Sequence, residues 1–170
     1  MQTVTLRAME PADIDAIYRW ENDPSTWTVS AAHQPFSRHT LQRFIDESSG
    51  CDIYTSRQLR LMAVDTTGAA VGCVDLYDFD PFHRRSAIGI IVDSSLRHKG
   101  YGAAMLLAVE DFAVRHLDLH QLHCIVATDN TRSLRLFQKA GYTECGTIKE
   151  WILDGRQWTD AIIFQKLLER

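Results

Sequence analysis

Arg97-His98-Lys99-Gly100-Tyr101-Gly102 is the stretch on which the reading of this chain turns. It follows a short apolar strand, residues 86–92, that ends Ile90-Ile91-Val92, and it leads into a helix beginning near Tyr101. At a helix start the first four N–H groups have no intrahelical acceptor and meet the positive end of the helix dipole, so an anion is favoured there. Gly100 and Gly102 let backbone approach that anion without an intervening side chain, and Arg97 and Lys99 add positive charge at its edge. The hexamer contains neither G-x-G-x-x-G nor G-x-x-x-x-G-K-[ST], which argues against a nicotinamide dinucleotide or a nucleoside triphosphate as ligand.

Working outward, residues 103–116 have Leu106, Leu107, Val109, Phe112 and Ala113 to bury, with Leu117 just beyond, and form the strongest helical pattern in the chain. Residues 121–128 read as a strand. Residues 131–139 read as a short helix capped by Asn130 and ended by Gly141. Residues 150–153 and 157–165 flank Asp154-Gly155, a pair suited to a type I′ hairpin turn.

Toward the N-terminus, residues 3–9 read as a strand and 12–21 as a helix with Pro11 near its first turn. A second helix follows Ser37, a candidate cap, with Leu41, Phe44 and Ile45 at helical spacing. Residues 24–36 hold Trp27, His33, Pro35 and Phe36 without clear periodicity and are a candidate substrate-side loop, unless those aromatics pack on the sheet. Residues 60–65 and 71–79 read as strands. The elements add up to an α/β (α+β) fold, a central mixed sheet flanked by helices, as one domain over residues 1–170.

A chain of 170 residues, 45% hydrophobic, is long enough for one full core. Its formal charge of -4 gives no general attraction for nucleic acid or an anionic membrane, and weakly favours a cationic substrate. The N-terminus lacks a basic region followed by an apolar run, and no segment approaches the roughly 18 apolar residues of a spanning helix, so the expected location is cytoplasmic. Cys51, Cys73, Cys124 and Cys145 form no C-x-x-C pair and are expected as buried or semi-buried free thiols. His116, His120 and His123 lie on different elements without supporting ligands, so no metal is expected.

The hexamer fits the form [RQ]-x-x-G-x-[GA], and Asn130 begins a segment running to the pair Gly141-Tyr142. These two motifs, at this separation and between strands in this order, resemble the GNAT superfamily of N-acetyltransferases over nearly the whole chain. Asp78-Phe79-Asp80-Pro81-Phe82-His83-Arg84-Arg85-Ser86-Ala87-Ile88 and Trp20-Glu21-Asn22-Asp23 are similar to the spermidine/spermine and ribosomal-protein N-acetyltransferase-like branch. The resemblance implies the GNAT acyl-CoA N-acyltransferase fold, acetyl-CoA as cosubstrate, and a small amine or peptide amine as acceptor. It also implies a homodimer or larger homo-oligomer, which the terminal hairpin can support or, equally, complete as monomer core.

On that resemblance, Ile90, Ile91 and Val92 present backbone to the acetyl and pantetheine portion, with the N–H at Ile91 or Val92 as oxyanion donor. Arg97, His98, Lys99, Gly100, Tyr101, Gly102 and Ala103 meet the pyrophosphate, and Asn130 and Ser133 meet the pantetheine. The family commonly places a tyrosine in the short helix as general acid. Here that position is Phe137, which cannot donate a proton and is assigned instead to the cofactor's apolar arm. A coenzyme A-binding regulatory protein with weak or lost transfer is therefore the alternative. Asp75 is the preferred candidate for a base or amine-orienting group; strict alternation puts Asp78 on the opposite face unless a bulge intervenes.

Overall fold

The computed structural model describes residues 2–27 and 34–169. Seven strands join in one sheet: β1 (Thr5–Arg7), β2 (Leu59–Val64), β3 (Ala70–Asp80), β4 (Arg85–Val92), β5 (Gln121–Ala127), β6 (Thr143–Asp154) and β7 (Gln157–Leu167). Their order is β1-β2-β3-β4-β5-β7-β6, and every pairing is antiparallel except β4 with β5. The helices are α1 (Ile14–Glu21), α2 (Pro24–Trp27), α3 (Arg38–Ser49), α4 (Ile53–Ser56), α5 (Tyr101–Leu117) and α6 (Thr131–Lys139). The expected GNAT fold, a mixed sheet flanked by helices, is the architecture found.

Two apolar layers hold it together. On one face, Met105, Leu106, Val109 and Ala113 of α5 and Phe137 of α6 pack on Val71, Val74, Leu76 and Ile88. On the other, Ile17 and Trp20 of α1 and Leu41 and Ile45 of α3 pack on Met62 and Cys73. Period two in the strands and 3.6 in the helices send these residues inward. Ser37 caps α3, its hydroxyl accepting from Thr40 N at 3.1 Å. Asp13 ties β1 to the start of α1, accepting both Arg7 guanidinium nitrogens at 2.7 and 2.8 Å and Glu10 N at 2.8 Å.

Several expectations need correction. Leu107 is 50% exposed rather than buried, because it lies on the outer side of α5. Cys73 and Cys124 are buried, but Cys51 and Cys145 are exposed. The hairpin turn is Gly155-Arg156, since Asp154 still pairs with Gln157; only Gly155 takes a positive φ (+61°), so the type I′ requirement is not met. β6 also begins seven residues before the expected 150–153 segment. Of the candidate loop 24–36, residues 28–33 lie outside the described residues. Phe36 is half-buried, and Asn22 grips its backbone through Oδ1 (2.8 Å) and Nδ2 (3.0 Å).

No helix among the described residues is long and apolar enough to cross a membrane, and none of their His, Cys, Asp and Glu side chains gather in threes to hold a metal ion.

Candidate active site

The sheet opens in its middle. β4 pairs with β5 only through Arg85, Ser86 and Ala87, opposite Gln121, Leu122 and His123, although β4 continues to Val92 and β5 to Ala127. Beyond Ala87 the two parallel strands separate, and the β4 edge is left facing a gap. The direction of its amides follows from the other side. Asp93 N donates to Val71 O (2.9 Å), and β4 runs in unbroken register against β3 from Val92↔Gly72 to Ala87↔Tyr77. Antiparallel pairs alternate, so Ile91 and Gly89 turn their N–H and C=O toward β3, while Ile90 and Val92 turn theirs into the gap. Val92 is thus available as the expected donor; Ile91 is not, because its amide is spent on the ladder with Cys73, and Ile90 takes its place. Gly72 is required here, since any Cβ on it would collide with the Ile91 carbonyl.

The gap opens onto a cleft of about 1960 Å³ whose walls include Ile90, Ile91, Val92, Arg97, His98 and Gly100, followed by Tyr101, Gly102 and Ala103. The glycine-containing turn therefore lies on the cleft wall at a helix start. Gly100 has φ +91° and leads into α5, which no side chain caps, leaving the first N–H groups of the helix open to a ligand. Gly102 lines the cleft and also serves packing: a Cβ there would stand 3.1 Å from Leu136, so its smallness lets α5 and α6 approach closely. Lys99 is exposed and off the cleft wall. Arg97 reaches across to Ser25 Oγ (3.3 Å) and Asp23 (3.6 Å), bracing the turn against the end of α1.

Asn130 and Ser133 both line the cleft, but Asn130 Oδ1 is engaged as the cap of α6, accepting from Ser133 N at 3.1 Å. Phe137 is not brought to the wall. It is 4% exposed, edge-on to Tyr142 (5.0 Å between centroids) and stacked with Phe164 (6.5 Å), so its assignment to a cofactor arm is corrected to core packing. Tyr142 is likewise core: its Oη is buried without a hydrogen-bond partner, and burial, with Glu110 nearby, pushes its phenol far above the ordinary range. Trp151 and Trp158 stand exposed on the terminal hairpin, away from the cleft wall.

Asp75 does line the cleft, but as half of an ion pair. It accepts Arg60 Nε at 2.6 Å and Nη2 at 3.0 Å, and Arg60 also pairs with Glu21. A carboxylate already holding a guanidinium in its fork is poorly placed to take a proton. Of the two expected roles, base and amine-orienting group, the first is thereby corrected: Asp75 is a charge in a cluster of one cation between two carboxylates. Arg60 also lies over the Phe44 ring, 5.3 Å from its centroid. Asp78 joins Asp75 on the wall because a bulge at residues 78–79, where Asp78 has φ +50°, breaks strict alternation.

The cleft is zoned by charge. Glu10, Glu21, Asp46, Glu47, Asp75 and Asp78 line it from the β3, α1 and α3 side, whereas Arg97 and His98 flank its anion turn. Arg132, Arg135 and Lys139 extend the basic zone along α6, with the Asp129 carboxylate also on that side. Their spacing of three and four puts them on one helical face, a signal present in the sequence that the motif reading passed over. Arg60 was missed because its importance depends on standing directly opposite Asp75 in the β2–β3 register.

A family model described as "Acetyltransferase (GNAT) domain" matches residues 3–143. Spermidine N(1)-acetyltransferase of Vibrio cholerae is 23% identical over 156 residues, covering 90% of this chain and 87% of the relative. An uncharacterized N-acetyltransferase derived from the SPbeta prophage of Bacillus subtilis, YokL, is 26% identical over 163 residues, covering 96% and 89%. The crystal structure of a spermidine N-acetyltransferase from Vibrio cholerae in complex with CoA and spermine superposes with a TM-score of 0.85 at 22% identity, over 98% of this chain and 96% of that one. At that identity the superposition speaks for the fold.

Proposed function

The chain belongs to the GNAT acetyltransferase family, and from that membership we propose that it transfers the acetyl group of acetyl-coenzyme A to a primary amine of a small polycation such as spermidine or spermine. The observation that carries this reading is the charge-zoned cleft with an open strand edge between its zones. The residues present fit the donor. The uncapped start of α5, flanked by Arg97 and His98, suits a pyrophosphate, and the amides of Ile90 and Val92 suit a ligand that pairs like a missing strand. Acetyl-coenzyme A, when bound, supplies an acyl group activated on sulfur.

The chain's own residues then account for catalysis by placement. Ile90 N–H or Val92 N–H holds the acyl oxygen where negative charge develops, a fixed donor that needs no reorganisation. The cluster of Glu21, Arg60 and Asp75, with Asp78 nearby, holds an amine-bearing cation against the opposite wall. Fixing both reactants removes most of the entropic cost of their encounter. Acetyl-coenzyme A is made and spent inside the cell, which supports a cytoplasmic location.

A coenzyme A-binding protein with weak or lost transfer is the second reading, favoured by Phe137 standing in the core where the family carries a phenol. A coenzyme A release assay separates the two. We expect release and a mass-verified acetylated product with spermidine and spermine, and little with short N-terminal peptides or monoamines. Binding of acetyl-coenzyme A with no product from any amine would establish the second reading instead.

We extend the proposal to self-association. Trp151, Leu153 and Trp158 on the β6–β7 hairpin are 54%, 52% and 57% exposed, a degree of exposure that supports a covered surface in an oligomer. Sedimentation is expected to give a dimer or larger species that Trp158→Lys shifts toward monomer; a monomer throughout the working concentration range would refute it.

A further inference from the structure

With Phe137 turned into the core, the family's usual proton donor is missing, yet the cleft has phenols of its own. Among the described residues, two tyrosines line it, Tyr77 and Tyr101. Tyr101 opens α5, at the anion end. Tyr77 stands at the other place that matters, on β3 directly opposite Ala87, the last residue of β4 to pair with β5 before the strands part. Its ring runs along β4 past that point: a Cβ built on Gly89 would lie 3.8 Å from Tyr77 Cε1. Gly89 immediately precedes Ile90, whose amide turns into the gap, so the ring stands beside the stretch of β4 that borders the opening. Position 89 carries no side chain, and the space one would fill is bordered by the phenol ring on one side and by Asp75 Cβ, at 3.9 Å, on the other.

We infer that Tyr77 replaces the absent helix tyrosine as the hydroxyl that donates its proton to the departing sulfur. The inference rests on the acetyl-transfer reading above. As the nitrogen–carbon bond forms, the carbon–sulfur bond breaks and its electron pair leaves on sulfur. Sulfur takes the Tyr77 proton and becomes the thiol. The nitrogen attacks as the neutral amine, having given its first proton to solvent, and sheds a second there as the amide forms; the phenolate regains one from the same solvent, which its 38% exposure admits.

The surroundings keep the group in the protonated form that a donor requires. Burial raises the Tyr77 phenol above its ordinary value, and the Cys124 thiol on β5 and the carboxylates of Asp78 and Asp75 add to the rise. The other charged neighbours on these strands are Arg60, engaged with Asp75, and Arg85, engaged with Asp80. His123, opposite Ala87, is held toward its neutral form by burial and by Arg85.

The test compares coenzyme A with desulfo-coenzyme A, binding each to wild type and to Tyr77→Phe by calorimetry. Wild type is expected to prefer coenzyme A by about three- to tenfold, the size of one modest hydrogen bond to sulfur. Tyr77→Phe, which keeps the ring, should bind the two equally. In turnover the same variant should lose about 100-fold in kcat with the KM for acetyl-coenzyme A unchanged, the pattern of a group acting in the transition state. A variant that keeps the wild-type preference, or its kcat, overturns the assignment of Tyr77 alone. A wild-type protein that binds neither compound overturns the acetyl-transfer reading and this inference with it.

Discussion

Arg60→Met is expected to destabilise the protein by about 3 kcal/mol or more, read as a lower urea midpoint at unchanged slope. The reason is an asymmetry in how buried charges behave. Arg60 is 16% exposed and stands between Asp75 (26%) and Glu21 (11%). Burial works against its charge, but the neighbouring carboxylates, Asp75 foremost, outweigh that and hold the guanidinium well above its ordinary range. Removing the cation leaves two carboxylates facing each other in a partly dry site, which costs more than the pair itself contributed. Methionine keeps the stem that packs against Phe44, so lost packing contributes little.

The triple variant Glu21→Gln, Arg60→Met, Asp75→Asn removes the uncompensated charge and is expected to recover most of the loss. A triple variant as unstable as Arg60→Met would show that packing, not charge, is the cause. Function separates from stability in the same series. Asp75→Asn alone removes one negative charge from the cluster and should raise the KM for a polyamine while leaving that for acetyl-coenzyme A alone. The buried Cys73 thiol beneath the cluster, pushed up to about 12 chiefly by burial, stays neutral throughout and takes no part.

What could be read from the sequence follows from how local each signal is. Helix α6 matches its expected bounds, residues 131–139, because its cap, Asn130, and its terminator, Gly141, are adjacent to it in the chain. The first half of β6 was invisible for a physical reason. It is an edge strand exposed on both faces, so it lacks apolar alternation, and its register shifts between Ile148 and Ile152, where Glu150 takes φ +50°. Only pairing with β7 makes it a strand. The anion turn was legible because backbone and glycine do the work within six residues. The roles of Asp75 and Phe137 were not, because one is decided by a cross-strand partner and the other by the side of α6 on which a ring packs. The motif revealed that a hydroxyl was missing; only the register of β3 against β4 brought Tyr77 forward to supply it.

Asp93→Asn is expected to lower both stability and coenzyme A affinity, and to do so in a pH-dependent way. Asp93 follows β4 and is 5% exposed. Its carboxylate accepts Arg19 at 2.6 Å and Trp20 Nε1 at 2.8 Å through one oxygen, and Ser95 Oγ at 2.7 Å and N at 3.0 Å through the other. It thereby fastens α1 to the entrance of the anion turn across a sequence separation of more than 70 residues. Burial pushes the carboxyl upward, but the bonds from Trp20, Ser95 and Arg19 outweigh it and hold it far below the ordinary carboxylate range. A carboxyl depressed in the folded state stabilises fully above its unfolded value, near 4, and loses that stabilisation as pH falls toward the folded one. Unfolding free energy measured from pH 7 down to pH 3 should therefore fall more steeply below about pH 4 in wild type than in Asp93→Asn. At pH 7 the variant should be about 2–3 kcal/mol less stable, since an amide cannot accept from all four donors and its NH₂ is forced against one of them. Its coenzyme A affinity should fall about tenfold, because the loop from Ser94 to Lys99 loses the anchor that aims α5. Parallel pH profiles for the two proteins would show that Asp93 does not carry the ionic anchor assigned to it.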